Sequence, residues 1–135
     1  MKPIFDRTTD ALAASLNFRL LRQNVTSSNI ANAETPGYKA KVVEFEDALA
    51  RAIDLQGMNG GLDPEHLAQG TGAISKARAD VYDNPEVNVT NDQNTVDMER
   101  EMATLHENTI LYRTALQLIN KKLGALRYAA SEGAR

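Results

Sequence analysis

The C-terminal third of the chain carries an apolar repeat that constrains the fold more than any other feature. Its members recur at alternating intervals of four and three residues: Met98, Met102, Leu105, Thr109, Tyr112, Leu116, Ile119, Leu123 and Leu126. This spacing is the a/d pattern of a coiled coil, so it predicts one long helix with an apolar seam. Asn94 or Thr95 is expected to cap the N-terminus of this helix.

The same helix has a second stripe, displaced from the first by more than about 100°. It consists of Leu111, Ala115, Leu118, Lys122, Ala125 and Ala129. One partner helix cannot cover both stripes, and an apolar stripe left in water favours aggregation. The helix is therefore predicted to contact two or more neighbours, at least one of them outside the chain.

A second amphipathic helix is predicted from about Arg7 to Asn32. Its seam has the same alternating spacing and contains Ala11, Ala14, Phe18, Leu21, Val25, Ser28 and Asn32, with Leu12, Leu16 and Leu20 on the opposite side. Pro36 disfavours helical geometry at the residue before it, and Pro36-Gly37 suits the central pair of a type II turn. The helix is expected to end before this turn.

The predicted fold class is therefore mainly α, with two long terminal helices and an irregular, partly extended middle segment. The expected divisions are residues 1–38, 39–93 and 94–135. Within the middle segment we predict a short helix over 43–54, a flexible loop over 56–75, and short extended pieces at Val81-Tyr82 and Val87-x-Val89.

Charge and composition exclude several classes of protein. The 135 residues include no cysteine, which rules out disulfides and thiolate zinc sites, and the net charge of −3 does not favour nucleic acid as a partner. Residues 42–94 carry ten acidic and three basic groups, so the negative charge is concentrated in the middle. The N-terminus lacks the apolar core of a secretory signal, so any export is expected to need no cleaved signal.

The sequence offers little support for catalysis. The two histidines are His66, in the predicted loop, and His106, beside the main seam. Asp97 and Glu101 share a helix face, but the electrostatics of a helix N-terminus explain them more simply. We predict no catalytic residue, no cofactor and no metal site.

A polar cluster stands where the first helix ends. It reads Ser28-Asn29-Ile30-Ala31-Asn32, followed by Thr35-Pro36-Gly37-Tyr38. The physical reading is a helix C-terminus followed by a tight turn, since Asn and Gly tolerate left-handed backbone and small residues allow close approach. This combination closely resembles the N-terminal signature of the flagellar axial proteins, which form rod and hook.

A second segment narrows the resemblance. Asn91-x-x-Asn94-Thr95-Val96-Asp97-Met98-Glu99-x-Glu101-Met102, leading into Asn108 and Tyr112, is similar to the corresponding part of the basal-body rod proteins of the proximal-rod type. The short chain agrees, because distal-rod and hook proteins are much longer. The resemblance covers roughly residues 8–50 and 88–130.

The resemblance implies a fold and a function. The terminal helices would pair as an antiparallel coiled coil near the axis of a tube, with the middle segment outside, and subunits would stack with helical symmetry. Such a subunit would transmit torque and surround the export channel at the base of the rod, in the periplasm. It would be exported by the flagellar type III apparatus without a cleaved signal peptide. The implied partners are other rod proteins, the rod–ring adaptor, the membrane-ring protein and the export apparatus.

Combined with the two stripes, this arrangement assigns roles to residues. Those expected to hold the subunit together are Phe18, Leu21, Val25, Met102, Leu105, Tyr112, Leu116, Ile119 and Leu123. Those expected to face neighbouring subunits are Leu12, Leu16, Leu20, Leu111 and Leu118. The alternatives are FlgC or another short axial protein, and a cytoplasmic coiled-coil dimer that acts as an adaptor or chaperone.

Overall fold

The computed structural model describes residues 6–58, 73–86 and 90–132. Along the chain the elements are α1 (Arg7–Ala31), β1 (Lys41–Glu44), α2 (Glu46–Met58), α3 (Ala73–Lys76), β2 (Asp80–Asp83) and α4 (Met98–Glu132). The mainly α class, with two long terminal helices and an irregular middle segment, is confirmed. In the described part of the chain, no helix is both long enough and apolar enough to cross a membrane.

Each long helix begins at an aspartate that accepts a backbone hydrogen bond. Asp6 caps α1, where its carboxylate accepts from the amide of Thr9 at 3.0 Å. Asp97 takes the same position for α4 and accepts from the amide of Arg100 at 3.2 Å. The helix therefore starts later than predicted, because the side chain of Asn94 is used elsewhere. Both caps satisfy amides that the first turn leaves without an intrahelical partner.

The two long helices lie side by side and antiparallel, and three contacts define their register. Near the C-terminus of α1, the side chain of Asn29 interacts with the carboxylate of Glu101. Midway, Asn108 Nδ2 donates to the carbonyl of Arg19 at 2.8 Å. At the start of α1, Lys122 Nζ lies 2.6 Å from Asp6 Oδ1. The last turns of α4, residues 123–132, therefore extend past the N-cap of α1.

The face of α4 that packs on α1 is polar or small rather than apolar. Its buried residues are Glu101, Asn108 and Ala115, each seven positions from the next. At 100° per residue this line runs between the leucines of the two apolar stripes, and Ala115 itself belongs to the second stripe. The helix pair thus buries a narrow central line and leaves apolar side chains on both sides of it.

The middle segment builds a small core against the outer side of α1. Its buried apolar residues are Ala40, Val43, Phe45, Ala52 and Ile74. The ring of Phe45 stacks on that of Phe18, with centroids 5.2 Å apart and an interplanar angle of 28°. Aromatic pairs at this separation add to the apolar area they bury.

A two-stranded antiparallel sheet joins the halves of the middle segment. Lys41 pairs with Asp83, Val42 with Tyr82, Val43 with Val81 and Glu44 with Asp80. The predicted helix over 43–54 is therefore displaced, since β-branched Val42-Val43 joins the sheet and α2 begins at Glu46. Most of the predicted loop over 56–75, and the extended piece at Val87-x-Val89, lie outside the described residues.

Candidate functional site

Asn29 lies at the centre of a buried polar cluster and makes hydrogen bonds through both ends of its amide. Its Nδ2 donates to the carbonyl of Lys41 at 2.8 Å, and its side chain also interacts with the carboxylate of Glu101. Its Oδ1 accepts from the amide of Lys41 at 3.0 Å and from the hydroxyl of Tyr38 at 3.3 Å. The side chain, 0% exposed, ties α1 to β1, to the turn and to α4. A buried amide is favourable only when its partners are complete.

The turn after α1 forms as the sequence predicts. Gly37 has a φ of 71°, and the amide of Tyr38 donates to the carbonyl of Thr35 at 3.2 Å. Asn32 stabilises the segment that leads into the turn, because its Nδ2 donates to the carbonyl of Ser28 at 2.8 Å and its Oδ1 accepts from the hydroxyl of Thr35 at 3.1 Å. Pro36 is exposed at the tip, as are Ser28 and Ala31, whereas Ile30 is half-buried.

The loop before α4 is hydrogen-bonded to this turn across a large separation in sequence. The amide of Gly37 donates to the carbonyl of Asp92 at 2.9 Å, and the amide of Thr95 donates to the carbonyl of Tyr38 at 3.0 Å. The hydroxyl of Thr95 accepts from the amide of Ala40 at 2.8 Å. Backbone groups of the turn thus find partners that neither segment could supply alone.

Asn94 completes the connection between the two helices. It is 2% exposed, and its Nδ2 donates to the carbonyls of Asn32 at 2.9 Å and Thr35 at 2.7 Å. Its Oδ1 accepts from the amide of Val96 at 2.8 Å. These bonds satisfy carbonyls at the C-terminus of α1, which a helix leaves free. We call Ser28, Asn29, Asn32, Thr35, Gly37, Tyr38, Asn94, Thr95 and Glu101 the polar junction.

Arg22 anchors the middle segment to α1 next to the polar junction. Its guanidinium donates to the carbonyl of Val43 at 2.7 Å, pairs with Glu46 at 2.8 Å, and lies 4.5 Å from the centroid of the Phe45 ring. Partial burial raises the pKa of Glu46, but hydrogen bonds from Arg22 and the amides of Phe45 and Glu46 outweigh it and lower that pKa to about 2. Glu46 therefore stays ionised and paired at neutral pH.

Glu101 has the opposite electrostatic environment. It is 8% exposed on the packed face of α4, and burial raises the pKa of its carboxyl. The hydrogen bond from Asn29 and the charge of Arg100 oppose this rise without cancelling it. The junction therefore includes one carboxylate whose ionised form is disfavoured by its surroundings.

The residues predicted to hold the subunit together fall into two groups. Those at least partly buried are Phe18, Val25, Leu105, Tyr112 and Ile119, and those exposed within the single chain are Leu21, Met102, Leu116 and Leu123. Phe18 packs on Phe45 of the middle segment.

The residues predicted to face neighbouring subunits also divide. Leu12 and Leu16 are half-buried, whereas Leu20, Leu111 and Leu118 are 48%, 38% and 51% exposed. On α4, Met102, Leu116 and Leu123 lie on one side of the packed line, and Leu111 and Leu118 lie on the other. We call these two sets the flanking stripes.

The described residues contain no group of three or more His, Cys, Asp or Glu side chains arranged to hold a metal ion. His106 is exposed on α4, and His66 lies outside the described residues. A cleft of about 500 Å³ beside β1, α2 and α4 is lined by charged groups, among them Arg22 and Glu46, which pair with each other, and Arg100, which pairs with Glu86 outside the lining.

Sequence reasoning missed several residues of this site. Arg22, Glu101 and Asn108 were not predicted to mediate packing, because apolar periodicity gives polar residues no weight. One signal was present: Glu101, Asn108, Ala115 and Lys122 recur every seven residues along the border of the second stripe, to which Ala115 and Lys122 belong.

Comparison with known proteins agrees with this geometry. A family model described as "Flagella basal body rod protein" matches residues 12–39, which include most of α1 and the turn. A flagellar basal body rod protein FlgB from Aeromonas hydrophila is 37% identical over 90% of this chain and 91% of its own length. The FlgB of Cereibacter sphaeroides is 40% identical over 87% and 88%, and that of Salmonella typhimurium 32% over 81% and 82%.

The site is therefore a polar junction between two long antiparallel helices, with apolar side chains exposed on both sides of the packed line. The chain belongs to the flagellar basal body rod protein family, and the relatives named above are all FlgB proteins.

Proposed function

We propose that this chain is a structural subunit of the proximal rod, which polymerises by helix packing into a tube. The observation that carries the proposal is the placement of the flanking stripes on both sides of a packed line that is itself polar. A helix that is apolar on two sides expects two or more neighbours, and α1 lies between the stripes and leaves both of them partly exposed.

The proposed packing is heterologous, so that each subunit offers one stripe to one neighbour and the other stripe to a different one. Contacts of this kind do not close on themselves and generate a helical assembly. In such a tube the helix pair forms the inner layer around the export channel. The middle segment, fixed to the outer side of α1 by Arg22 and Phe45, forms the outer layer and helps to transmit torque.

The polar junction has a different role in this proposal. Its hydrogen bonds hold the turn and the loop before α4 in one conformation, so the two helices enter the tube with fixed register. A rigid subunit is what torque transmission requires, because any slack between the helices would be added at each subunit.

The proposed site of action is the basal body in the periplasm, reached through the type III export apparatus without a cleaved signal peptide. The proposed partners are other rod proteins, the rod–ring adaptor and the membrane-ring protein, together with further copies of this chain. The role is structural, and no cofactor or nucleic acid takes part in it.

The test is to replace Leu111 and Leu118 together by Asp. The charges would face the neighbouring subunit, while the packed face of α4 would remain unchanged. We expect the variant to be exported normally but to form no rods, as judged by electron microscopy of isolated basal bodies and by immunoblotting of the exported fraction.

The matched control replaces Gln117 and Lys121 by Asp. These positions are also exposed, but they lie on the side of α4 opposite the packed line. This variant should still form rods. Normal rods from the L111D/L118D variant would overturn the proposal that the flanking stripes are subunit contacts.

The two alternative functions are that of FlgC or another short axial protein, and that of a dimeric coiled-coil adaptor. The identity to FlgB proteins over most of the chain favours the FlgB role. Co-precipitation of the rod–ring adaptor and the membrane-ring protein with this chain would distinguish the FlgB role from the FlgC role. A single discrete dimer in sedimentation, with no higher assembly, would favour the adaptor.

A further inference from the structure

The two-stranded sheet has one covered edge and one open edge. The outer edge of β1 is covered by α1, because Asn29 bonds to both backbone groups of Lys41 and Arg22 donates to the carbonyl of Val43. These side chains occupy backbone groups that would otherwise be available to another strand. The edge toward the helix is therefore closed to pairing.

The outer edge of β2 is different. The amide of Asn84 donates to the carbonyl of Ala40 at 2.8 Å, which fixes the alternation along the strand. Asp80 and Tyr82 therefore direct their backbone groups toward β1, and Val81 and Asp83 direct theirs outward. Among residues 6–58, 73–86 and 90–132, none hydrogen-bonds to these outward groups.

The side chains of β2 are also more exposed than those of β1. All four residues of the strand are exposed. Val81 is 46% exposed, whereas Val43, its cross-strand partner on the same face, is 3% exposed. Isolated two-stranded sheets are marginally stable in water, and a third strand would both cover Val81 and pair the open backbone groups.

The charge of this edge indicates what kind of strand would fit. Asp80 and Asp83 flank the apolar pair of β2, within the segment 42–94 that carries ten acidic and three basic groups. Lys41 lies 3.1 Å from Asp83, and Asp80 has no ion-pair partner among the described residues. A β2 strand from a second copy would gather four aspartates in one short ladder, and like charges in such positions are destabilising.

We propose that the outer edge of β2 is a docking site for a short, basic, extended segment of a different protein, which adds as a third strand. Backbone hydrogen bonds to Val81 and Asp83 would supply affinity, an apolar residue would lie beside Val81, and Lys or Arg beside Asp80 and Asp83 would supply selectivity. This site lies on other elements than the flanking stripes and goes beyond the proposed assembly through helices.

The first experiment uses a capped peptide with a central Lys-Thr-Val-Lys as the probe. It is titrated into the isotopically labelled full-length chain, and backbone amide signals are followed by NMR. Saturable shifts are expected at Val81 and Asp83, while the amide of Glu44 in the inner ladder reports that the sheet stays formed. The same peptide with Glu in place of Lys should not bind.

Three variants locate the binding. Val81→Pro removes one outward amide without removing a donor to β1, and should weaken binding about fivefold, the effect of one hydrogen bond. Asp80→Lys reverses the charge beside the strand and should weaken binding at least as much. Glu107→Lys makes the same charge change on an exposed position of α4 and should leave binding unchanged.

Several results would overturn the proposal. One is the absence of saturable binding, and another is equal binding of the Glu peptide. Equal affinity of the wild type and both β2 variants would place the peptide elsewhere on the protein. Self-association of the wild type in sedimentation, lost in V81P, would show that the edge binds a second copy instead.

Discussion

The polar junction and the flanking stripes differ in which kind of side chain is buried within the chain. In the junction, Asn29 and Asn94 are almost completely buried, and each makes at least three hydrogen bonds within the chain. Along the stripes, apolar residues such as Leu118 remain half-exposed in the single subunit. Between the two long helices, therefore, the buried side chains are mostly polar, and the large apolar side chains of α4 remain partly exposed. Amide side chains connect the two long helices, and leucines on both sides of them remain exposed in the single chain.

The largest change in the free energy of unfolding is expected for a substitution at Asn29. Asn29→Ala would leave both backbone groups of Lys41 and the carboxylate of Glu101 without their partner. Unsatisfied buried groups cost more than the bond itself is worth, so we expect a loss of about 3 kcal/mol in the free energy of unfolding. Urea titration followed by far-UV circular dichroism measures this change.

Asn32→Ala is the matched control for that substitution. Asn32 makes two local bonds but is only half-buried, so water can replace them, and the loss should be about 1 kcal/mol. Equal losses for the two variants would show that burial of the junction contributes little. By contrast, L111D/L118D should hardly change the free energy of unfolding of the single chain, although it blocks assembly.

The long helices could be predicted from sequence, whereas the contacts between them could not. The heptad spacing locates α4, because apolar periodicity is a local property. The register depends on Asn108 and Arg19, which are far apart in sequence, so no window of residues contains it. Asn94 shows the same limit, since its best local use is as a helix cap and its actual partners belong to the turn after α1.

The middle segment shows a second limit of sequence reasoning. Phe18 fits the coiled-coil spacing of α1, but its ring packs on Phe45. Periodicity shows which residues share a helix face without showing which element covers that face. The turn at Pro36-Gly37 was predictable, because its constraint is carried by two adjacent residues.

Substitutions at two glycines are expected to change the stability by smaller amounts and in opposite directions. Gly37 of the junction has a φ of 71°, and a Cβ added there would meet nothing within 4 Å. Gly37→Ala should therefore destabilise the chain through backbone strain alone, by about 1 kcal/mol. Gly124 lies in α4 with equally open surroundings, and Gly124→Ala should stabilise the helix by about 1 kcal/mol. The same urea titrations apply, and matching signs would contradict the assignment of strain to the turn.

The smallest expected effect concerns the carboxyl of Glu101, the one junction group that would be better satisfied uncharged. Because its pKa in the folded chain is raised by burial, its contribution to stability is largest below its ordinary value of 4.5 and falls as the pH rises through the raised value. Glu101→Gln keeps an acceptor for Asn29 without the buried charge. We expect it to be more stable than the wild type at pH 7 and to match it in acid.

Glu99→Gln provides the control, because Glu99 is exposed in the first turn of α4, where negative charge is favourable. This variant should be slightly less stable than the wild type at pH 7. The acid loss from Glu46, whose pKa of about 2 lies below its ordinary value, occurs as the pH falls toward 2 and cancels in both differences. If urea titrations at several pH values instead show E101Q to be less stable at pH 7, the bond between Asn29 and an ionised Glu101 outweighs the cost of burying the charge. The junction would then depend on that charge, and its hydrogen bonds would be charge-assisted rather than neutral.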